Sequence, residues 1–427
     1  MMLARLAKRC SGRVHYAWVV LGVAFLAALS VVGVRSAPGV MIVPLQRSFG
    51  WDVGTISGAV SVNILLLGIL GPFIMALMER FGLKNIMVGC MLILMAATGL
   101  SVFMTEPWQL FLTWGVMVGI GSAAGSIGLA TAVANRWFHT NRGLAVGLLT
   151  AANAMGQLIF LPALAALANK YGWEGIAVFV TLAIAVIIPP VWLLLPETPA
   201  AIGLAPLGGV MERTIPPERT GNPFALAFTG LGQGVRSLDF WLLGITFAIC
   251  GFSTQGLVGT HLVAYCVDNG ISEVGAAGFL AFLGVFNLIG SGLSGWLTDR
   301  MNPRVLMFWL FGLRGIALFL LPLTGFDIVS LSVFTVFYGL NWVAIVPPQY
   351  AIINDVFGKK AAPVIISWVF VLHQVGGAAA AFGAGYLRDY TGSYLTAFML
   401  AGVACFLAAI MVLRVSHARP AEALAGP

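Results

Sequence analysis

The chain of 427 residues is 60% hydrophobic and only 9% charged, with a mean hydropathy of +0.98 and a formal net charge of +7. Soluble globular proteins carry roughly 25% charged residues, so this composition excludes a soluble enzyme and indicates a surface that mostly faces lipid. The five scattered cysteines show neither metal-ligand spacing nor a disulfide framework, and we expect no metal and no other cofactor.

Apolar segments long enough to cross ~30 Å of hydrocarbon as helices follow one another along the chain. The first, which follows the basic start MMLARLAKRC, is too long for a cleaved signal sequence and is predicted to be an uncleaved helix. The segments fall at about 16–46, 53–78, 86–104, 108–134, 142–168, 175–195, 238–266, 274–297, 303–323, 327–350, 361–386 and 392–413. The sequence therefore predicts an all-α integral membrane protein with twelve transmembrane helices in two six-helix bundles.

The two sets of six segments repeat each other at an offset of 220 residues. This offset superimposes acidic–basic pairs and glycines: Glu79 on Asp299, Arg80 on Arg300, Gly39 on Gly259, Gly50 on Gly270, Gly156 on Gly376 and Gly172 on Gly392. Duplications of this length are typical of secondary transporters. We predict an N-terminal six-helix bundle at 1–195, a cytoplasmic linker at 196–237, and a C-terminal six-helix bundle with a short cytoplasmic tail at 238–427.

The distribution of Lys and Arg predicts the orientation in the membrane. With the N-terminus in the cytoplasm, 17 basic residues lie on the cytoplasmic side and three, Arg47, Lys170 and Arg388, lie outside. This bias follows the positive-inside rule, so both termini are predicted to be cytoplasmic in a multi-pass protein of the cell inner membrane. The bias accounts for most of the net charge, and we expect the lipid bilayer but no nucleic acid as a partner.

Two predicted cytoplasmic loops, ERFGLK at the end of the second segment and TDRMNPR at the end of the eighth, carry the acidic–Arg pairs. They resemble the loop signature of the major facilitator superfamily, roughly G-x-x-x-D-R-x-G-R-K, and the resemblance covers the whole chain. It implies that Glu79, Arg80, Asp299 and Arg300 form a conformational latch between helix ends. The alternative is a pair of solvated turns whose basic residues serve only topology.

No acidic residue lies in the middle of an apolar segment, but two arginines do. Arg35 lies in VVGVRSAPGVMIVPL, and Arg314 lies in FWLFGLRGIALFLLP, ten residues after Arg304 and thus ~15 Å deep. A cation in the hydrocarbon costs about 2.5–3.5 kcal/mol on the insertion scale. A bound anion would supply the missing charge, because a guanidinium pairs with a carboxylate in a bidentate fork.

The two arginines have different alternatives. Arg35 is predicted to bind the substrate, or else to extend to the outer interface, and Gly33, Pro38 and Gly39 beside it can break the helix and free backbone donors. Arg314 is predicted to contact the ligand, or else to bond carbonyls of helices 8 or 11 or to reach the cytoplasmic rim.

Further polar and aromatic residues lie within apolar segments. His261 and His373 are predicted to donate hydrogen bonds to a carboxylate or to carry a proton, with packed, hydrogen-bonded histidines as the alternative. By the offset, His373 coincides with Asn153 and Gln255 coincides with Arg35, so polar groups lie at equivalent depths in both halves. The remaining candidates for the site are Asn63, Tyr338, Asn341 and Trp342, of which the last three share one helix face that is predicted either to wall the site or to pack.

The first segment, VHYAWVVLGVAF…VRSAPGVMIVPLQRSFGW, and the passage ANRWFHTNRGLAVGLLTAANAMGQ are similar to the branch of the superfamily that contains monocarboxylate transporters and oxalate/formate exchangers. Arg35 matches the basic position of that branch's first helix. In helix 8, where monocarboxylate transporters carry an Asp/Arg pair, the run FLAFLGVFNLIGSG has only Asn287, and Arg314 is a candidate for the lost positive charge.

The sequence thus predicts a monomeric secondary active transporter, not an enzyme, that moves a small organic anion, most simply a monocarboxylate, by alternating access with proton symport or exchange for a counter-anion. An exporter of drugs, siderophores or other larger metabolites is the alternative on the same fold. A membrane receptor without transport activity is the alternative from another class.

Overall fold

The computed structural model describes residues 15–123, 127–209, 231–232 and 234–416, with the backbone alone described at 72, 75, 76, 79, 127, 128, 130, 131, 153, 154, 359 and 360. Over these residues the protein is almost entirely helical, and the one extended pairing is an isolated bridge between Phe138 and Leu207. Ten of the described helices are long and apolar enough to cross a membrane.

The helices of the first half are α1 (Tyr16–Phe49), α2 (Val53–Phe81), α3 (Leu83–Ser101), α4 (Pro107–Leu110, Phe111–Met117, Val118–Ser122 and Ile127–Trp137), and α5 and α6, which are the two arms of Arg142–Leu194. Those of the second half are α7 (Leu238–Gly251, Phe252–Val258 and Gly259–Asp268), α8 (Glu273–Thr298), α9 (Pro303–Leu320), α10 (Ile328–Asn341, continued at 346–357), α11 (359–391) and α12 (Leu395–Val412). The predicted architecture of two six-helix bundles is confirmed.

Glycines with left-handed backbone end or divide the helices at equivalent places in the two halves. Gly50 ends α1 with φ of 71°, and Gly270 follows α7 with φ of 87°. Gly172 separates α5 from α6 with φ of 71°, and Gly392 ends α11 with φ of 75°. Both pairs are related by 220 positions, so the repeat in the sequence is also a repeat of backbone geometry, at positions where residues with a Cβ are strained.

The central helices of the two halves cross at equivalent glycines. A Cβ added to Gly39 in α1 would lie 2.8 Å from the carbonyl oxygen of Gly259 in α7, so the two backbones are in direct contact. Within the first half, a Cβ on Gly33 would lie 2.7 Å from the ring of Phe160 in α5. Small residues therefore set how closely the helices around the centre of the molecule approach.

The residues that can break α1 leave it continuous. Gly33, Pro38 and Gly39 all lie inside a helix that runs without interruption from Tyr16 to Phe49. The two glycines allow close packing against α5 and α7 rather than a change of backbone direction.

Most of the predicted linker at 196–237 lies outside the described residues. Its described start turns back on the first half through a short 3₁₀ helix, Pro199–Ile202, and the N–H of Leu207 donates to the carbonyl of Trp137 at 2.9 Å.

Candidate functional site

A cavity of about 340 Å³ lies between the two halves, in the middle of the bundle. α1, α2 and α5 line it from the first half, and α7, α8, α10 and α11 line it from the second. Two lining residues, Thr150 in α5 and Tyr350 in α10, lie about two helical turns from the ends of their helices. The cavity thus extends from the centre toward the end of the bundle where α5 begins, and its volume is that of a small-molecule site, ~300–1,000 Å³.

Arg35 contributes a positive charge to the wall of this cavity. It lies near the middle of α1 and is half-buried. In the part of the chain that the structure describes, no hydrogen bond and no ion pair reaches its guanidinium, and no Asp or Glu is among the described lining residues. The arginine therefore presents five N–H donors to the cavity with no protein acceptor assigned to them.

His373 in α11 lies on the wall of the cavity contributed by the second half. Its Nδ1 is 2.8 Å from Oε1 of the neighbouring Gln374. Its ring stacks on Phe370 at 5.8 Å and 6° between planes, and lies 4.6 Å from the ring of Phe247 in α7. The imidazole thus contacts two aromatic rings, one nearly parallel to it and one tilted by 51°, at the wall of the cavity.

Three more polar residues were predicted for the site. Gln255 lines the cavity and lies in the π-helical stretch Phe252–Val258, an irregularity that is frequent at functional sites. Asn63 also lines it, and its Nδ2 donates to the carbonyl of Trp114 at 2.9 Å, which fixes the orientation of the amide. The side chain of Asn153 lies outside the described residues.

The predicted aromatic face of α10 is divided. Trp342 lines the cavity, whereas Tyr338 is fully buried and donates its hydroxyl to the carbonyl of Ser253 at 2.7 Å. Asn341 is buried too, with its Nδ2 donating to the carbonyl of Leu310. The structure brings only the tryptophan of this trio to the cavity, while the other two join α10 to α7 and α9.

Arg314 is 1% exposed and does not line the cavity. Its Nε donates to Oδ1 of Asn341 at 3.0 Å, and its Nη2 donates to the carbonyls of Asn341 and Trp342. Its Nη1 lies 3.0 Å from Sγ of Cys250 and 3.4 Å from Oγ of Ser253. This cation is satisfied by carbonyls, an amide, a hydroxyl and a thiol, unlike Arg35. It bonds helix carbonyls as expected, but these belong to α10 and not to the expected α8 or α11.

His261 is also remote from the cavity. It is fully buried, with its Nε2 2.8 Å from the carbonyl oxygen of Ala381 and its Nδ1 3.3 Å from the hydroxyl of Tyr394. These contacts join α7 to α11 and α12, which is the packed arrangement given above as the alternative for a histidine.

The predicted latch residues form no ion pair among the described side chains. The guanidinium of Arg80 lies over the ring of Phe81 at 5.3 Å, and that of Arg300 lies over Trp296 at 4.2 Å. Asp299 is the C-cap of α8, and the side chain of Glu79 lies outside the described residues.

Another carboxylate contacts the first of these loops. Glu197 accepts from the backbone N–H groups of Leu83 and Lys84 at 2.7 and 3.0 Å and pairs with Arg136 at 3.3 Å. It therefore caps the start of α3, where a negative charge is favourable, and ties α3 to α4. Sequence reasoning missed it because it lies in the predicted linker.

Two polar contacts join the halves at the end of the bundle where α1 ends. Nη1 of Arg47 is 2.5 Å from Oε1 of Glu273 at the start of α8. Asp389 near the end of α11 accepts from the N–H groups of Val53 and Gly54 at 3.2 and 2.6 Å, at the start of α2. Nearby, hydrogen bonds from Thr55 lower the pKa of Asp52, the N-cap of α2. We call this the Arg47 end, and it is opposite to the end toward which the cavity extends.

Several polar lining residues were not predicted: Ser36, Gln157, Thr254, Thr260, Asn287 and Ser291. Ser and Thr are common in membrane helices because they bond their own preceding turn, so they carry little signal in a sequence. Gln157 had a usable signal, since it is a lone amide in the apolar run of α5. No cluster of potential metal ligands occurs among the described residues.

Comparisons with known proteins agree with this architecture. The profile described as Major Facilitator Superfamily matches residues 23–381. Monocarboxylate transporter 13 of Rattus norvegicus is 28% identical over 396 residues, covering 91% of this chain and 86% of the relative. The uncharacterized MFS-type transporter YcxA of Bacillus subtilis is 26% identical over 384 residues, covering 88% and 90%.

Among solved structures, a bacterial homologue of the human lysosomal transporter Spinster, in an inward-facing and unoccupied conformation, matches with a TM-score of 0.72. It covers 95% of this chain and 99% of that one at 18% identity, which shows a shared fold. Since the superfamily profile covers most of the chain, this multi-pass membrane protein belongs to the major facilitator superfamily, whose members transport small molecules across membranes and are not enzymes.

Proposed function

We propose that this protein is a secondary active transporter of a small organic anion, most simply a monocarboxylate. The observation that carries the proposal is Arg35, a cation without an assigned partner in the described part of the chain, on the wall of a central cavity. An unpaired cation in the membrane costs about 2.5–3.5 kcal/mol. A carboxylate bound there offsets this cost through charge-assisted hydrogen bonds. A cationic substrate would meet like charge and no acidic side chain among the described lining residues.

The relatives support the class of substrate. Monocarboxylate transporters 13 and 12 match over more than nine-tenths of this chain. Their names point to the same chemistry that Arg35 favours, a single carboxylate. The site is then formed by Arg35, Asn63, Gln255, His373 and Trp342, while Arg314, His261, Tyr338 and Asn341 hold the surrounding helices in place.

Alternating access follows from the position of the cavity. The halves, at 1–195 and 238–427 with a linker at 196–237, would rock about the crossing of α1 and α7, opening one end while the other closes. We place the protein in the cell inner membrane with both termini in the cytoplasm, so the Arg47 end faces outward. A single chain is sufficient for the transport cycle. His373 is the titratable imidazole of the cavity wall and would carry the proton in symport, whereas exchange of anions needs no such group.

Uptake into proteoliposomes tests the proposal. Labelled pyruvate, lactate, formate, oxalate and phenylpyruvate are supplied with and without an inward proton gradient, to the parent protein, to Arg35→Gln and to Arg414→Gln. Arg414 is an exposed arginine at the end of α12, so the control loses the same charge outside the cavity. We expect uptake of at least one monocarboxylate by the parent and the control, and its loss in Arg35→Gln.

Three results would contradict this function. Equal uptake by Arg35→Gln and the parent would place the anion site elsewhere. Uptake of a larger neutral compound but of no acid would indicate an exporter-like carrier. If the reconstituted, folded protein transports none of these compounds, the receptor alternative holds. Stimulation by the gradient distinguishes symport from exchange.

A further inference from the structure

The aromatic rings of the cavity wall all come from one half of the molecule. Among the described lining residues, the first half contributes the charge of Arg35 and no aromatic ring. The second half contributes five rings: Phe247, Trp342, Tyr350, Phe370 and His373. The cavity is therefore polarised, with a cationic side formed by α1 and an aromatic side formed by α7, α10 and α11.

Three of these rings form a continuous surface. The His373 ring is nearly parallel to that of Phe370, with centroids 5.8 Å apart, and its centroid lies 4.6 Å from that of Phe247. Clusters of aromatic rings favour a further aromatic ring, which stacks on one of them or meets it edge-on. A small aliphatic acid has no group of matching shape.

The indole of Trp342 connects the aromatic side to the cation. A Cβ on Gly259 would lie 3.6 Å from Cη2 of Trp342, so the indole lies against the backbone of α7 where that helix crosses α1 at Gly39. Arg35 lies one helical turn before Gly39 and so on the same face of α1. Arg35 and this indole therefore line the same cavity on either side of the α1–α7 crossing, so one ligand can contact both.

The volume of the cavity also favours a ligand larger than a small aliphatic acid. The cavity has a volume of about 340 Å³ and its lining is largely apolar. A three-carbon acid such as pyruvate would leave part of this space as water against apolar walls, which is unfavourable. An acid with an added aryl group fills more of the cavity and removes that water.

We propose that the cargo is an aryl-substituted monocarboxylate, bound with its carboxylate at Arg35 and its ring against Trp342 and the Phe370–His373 surface. This inference rests on the proposed function and makes it more specific. Because the two ends of the ligand contact different halves, the ligand spans the interface that rocking must rearrange, and both of its groups are recognised in each cycle.

The test compares pyruvate with phenylpyruvate, which differ by a phenyl group. Initial rates of uptake into proteoliposomes give kcat/KM for each acid, with protein-free liposomes as the blank. For the parent protein we expect kcat/KM to be at least tenfold higher for phenylpyruvate. In Trp342→Ala the ratio falls by up to about tenfold, the upper range for one aromatic pair. Trp342→Phe, which keeps a ring, retains most of the preference.

The outcomes separate this inference from the function on which it rests. Arg35-dependent uptake in which pyruvate equals or exceeds phenylpyruvate overturns the aryl preference and leaves the anion transporter intact. Absence of Arg35-dependent uptake of both acids overturns both. If Trp342→Ala does not fold, the ratio in the parent protein and in Trp342→Phe still decides, because a ratio near one contradicts the proposal in either protein.

Discussion

The contacts at the Arg47 end make a quantitative prediction about the conformational equilibrium. Glu273 pairs with Arg47 and thus joins α8 to α1, and Asp389 caps α2 from α11. Both contacts cross between the halves, so both are broken when the halves separate at this end. We therefore predict that the double variant Glu273→Gln/Asp389→Ala shifts the protein toward the conformation in which the Arg47 end is open.

The size of the shift follows from the exposure of the groups. The side chain of Arg47 is 66% exposed and that of Glu273 is 8% exposed, so the pair is partly screened and contributes ~0.2–1 kcal/mol. The cap formed by Asp389 accepts two N–H groups, one at 2.6 Å, and such caps contribute typically ~1 kcal/mol. Together they favour the closed end by about 1.2–2 kcal/mol, which is roughly an 8- to 30-fold change in the ratio of closed to open molecules.

Pulsed electron paramagnetic resonance measures this ratio. Spin labels at Ser48 and Asn269, which are exposed at the Arg47 end of the two halves, report their separation in a chain whose natural cysteines are replaced by alanine. Asp327→Ala is the matched control, because Asp327 caps α10 within the second half and joins nothing across the interface. The reasoning is refuted if the double variant has the same distance distribution as this control.

Three further predictions concern stability and packing. Arg314→Leu leaves buried acceptors in α10 without donors, at a cost of ~1–3 kcal/mol each. We therefore expect the free energy of unfolding in detergent to fall by about 3 kcal/mol. A loss no larger than that of Arg414→Gln would contradict a stabilising role for these hydrogen bonds of Arg314. Glu197→Gln weakens the cap of α3 and should lower the same free energy by ~1 kcal/mol, and an unchanged value would show that the cap contributes nothing. Gly39→Leu forces α1 away from α7 and should abolish uptake. Gly22→Leu in the same helix, where an added Cβ meets nothing within 4 Å, should leave uptake intact. Equal uptake by the two variants would contradict the close contact of α1 and α7 at Gly39.

The fold was largely predictable because its determinants are local and periodic. Apolar length defines membrane helices, and the repeat at 220 positions falls on glycines whose backbone is left-handed in both halves, such as Gly172 and Gly392. The break that Gly33, Pro38 and Gly39 make possible in α1 does not occur, and the helix is continuous. Pro and Gly mark positions where a break is possible, and tertiary contacts decide whether it occurs.

The site was predictable only in part. Arg35 and Arg314 give the same signal in the sequence, a cation in an apolar run, but the direction each faces depends on how the helices pack around it. Arg314 meets acceptors from α7 and α10, which are far away in sequence, and Arg35 faces the cavity. Helix ends are as hard to interpret: Glu273 and Asp389 resemble solvated charges until their partners across the interface are known.

Isothermal titration calorimetry with matched acids and amides tests the role of Arg35 most directly. Lactate and 3-phenylpropionate, each beside its uncharged amide, are titrated into the parent protein, Arg35→Gln and Arg414→Gln in detergent. A charge-assisted pair at Arg35 contributes ~1.5–3 kcal/mol, so we expect the affinity for at least one acid to fall by roughly 10- to 150-fold in Arg35→Gln, with the affinity for its amide and the values for Arg414→Gln unchanged. Equal affinities of the parent and Arg35→Gln for both acids, or an equal loss for acid and amide, would contradict an anion site at Arg35.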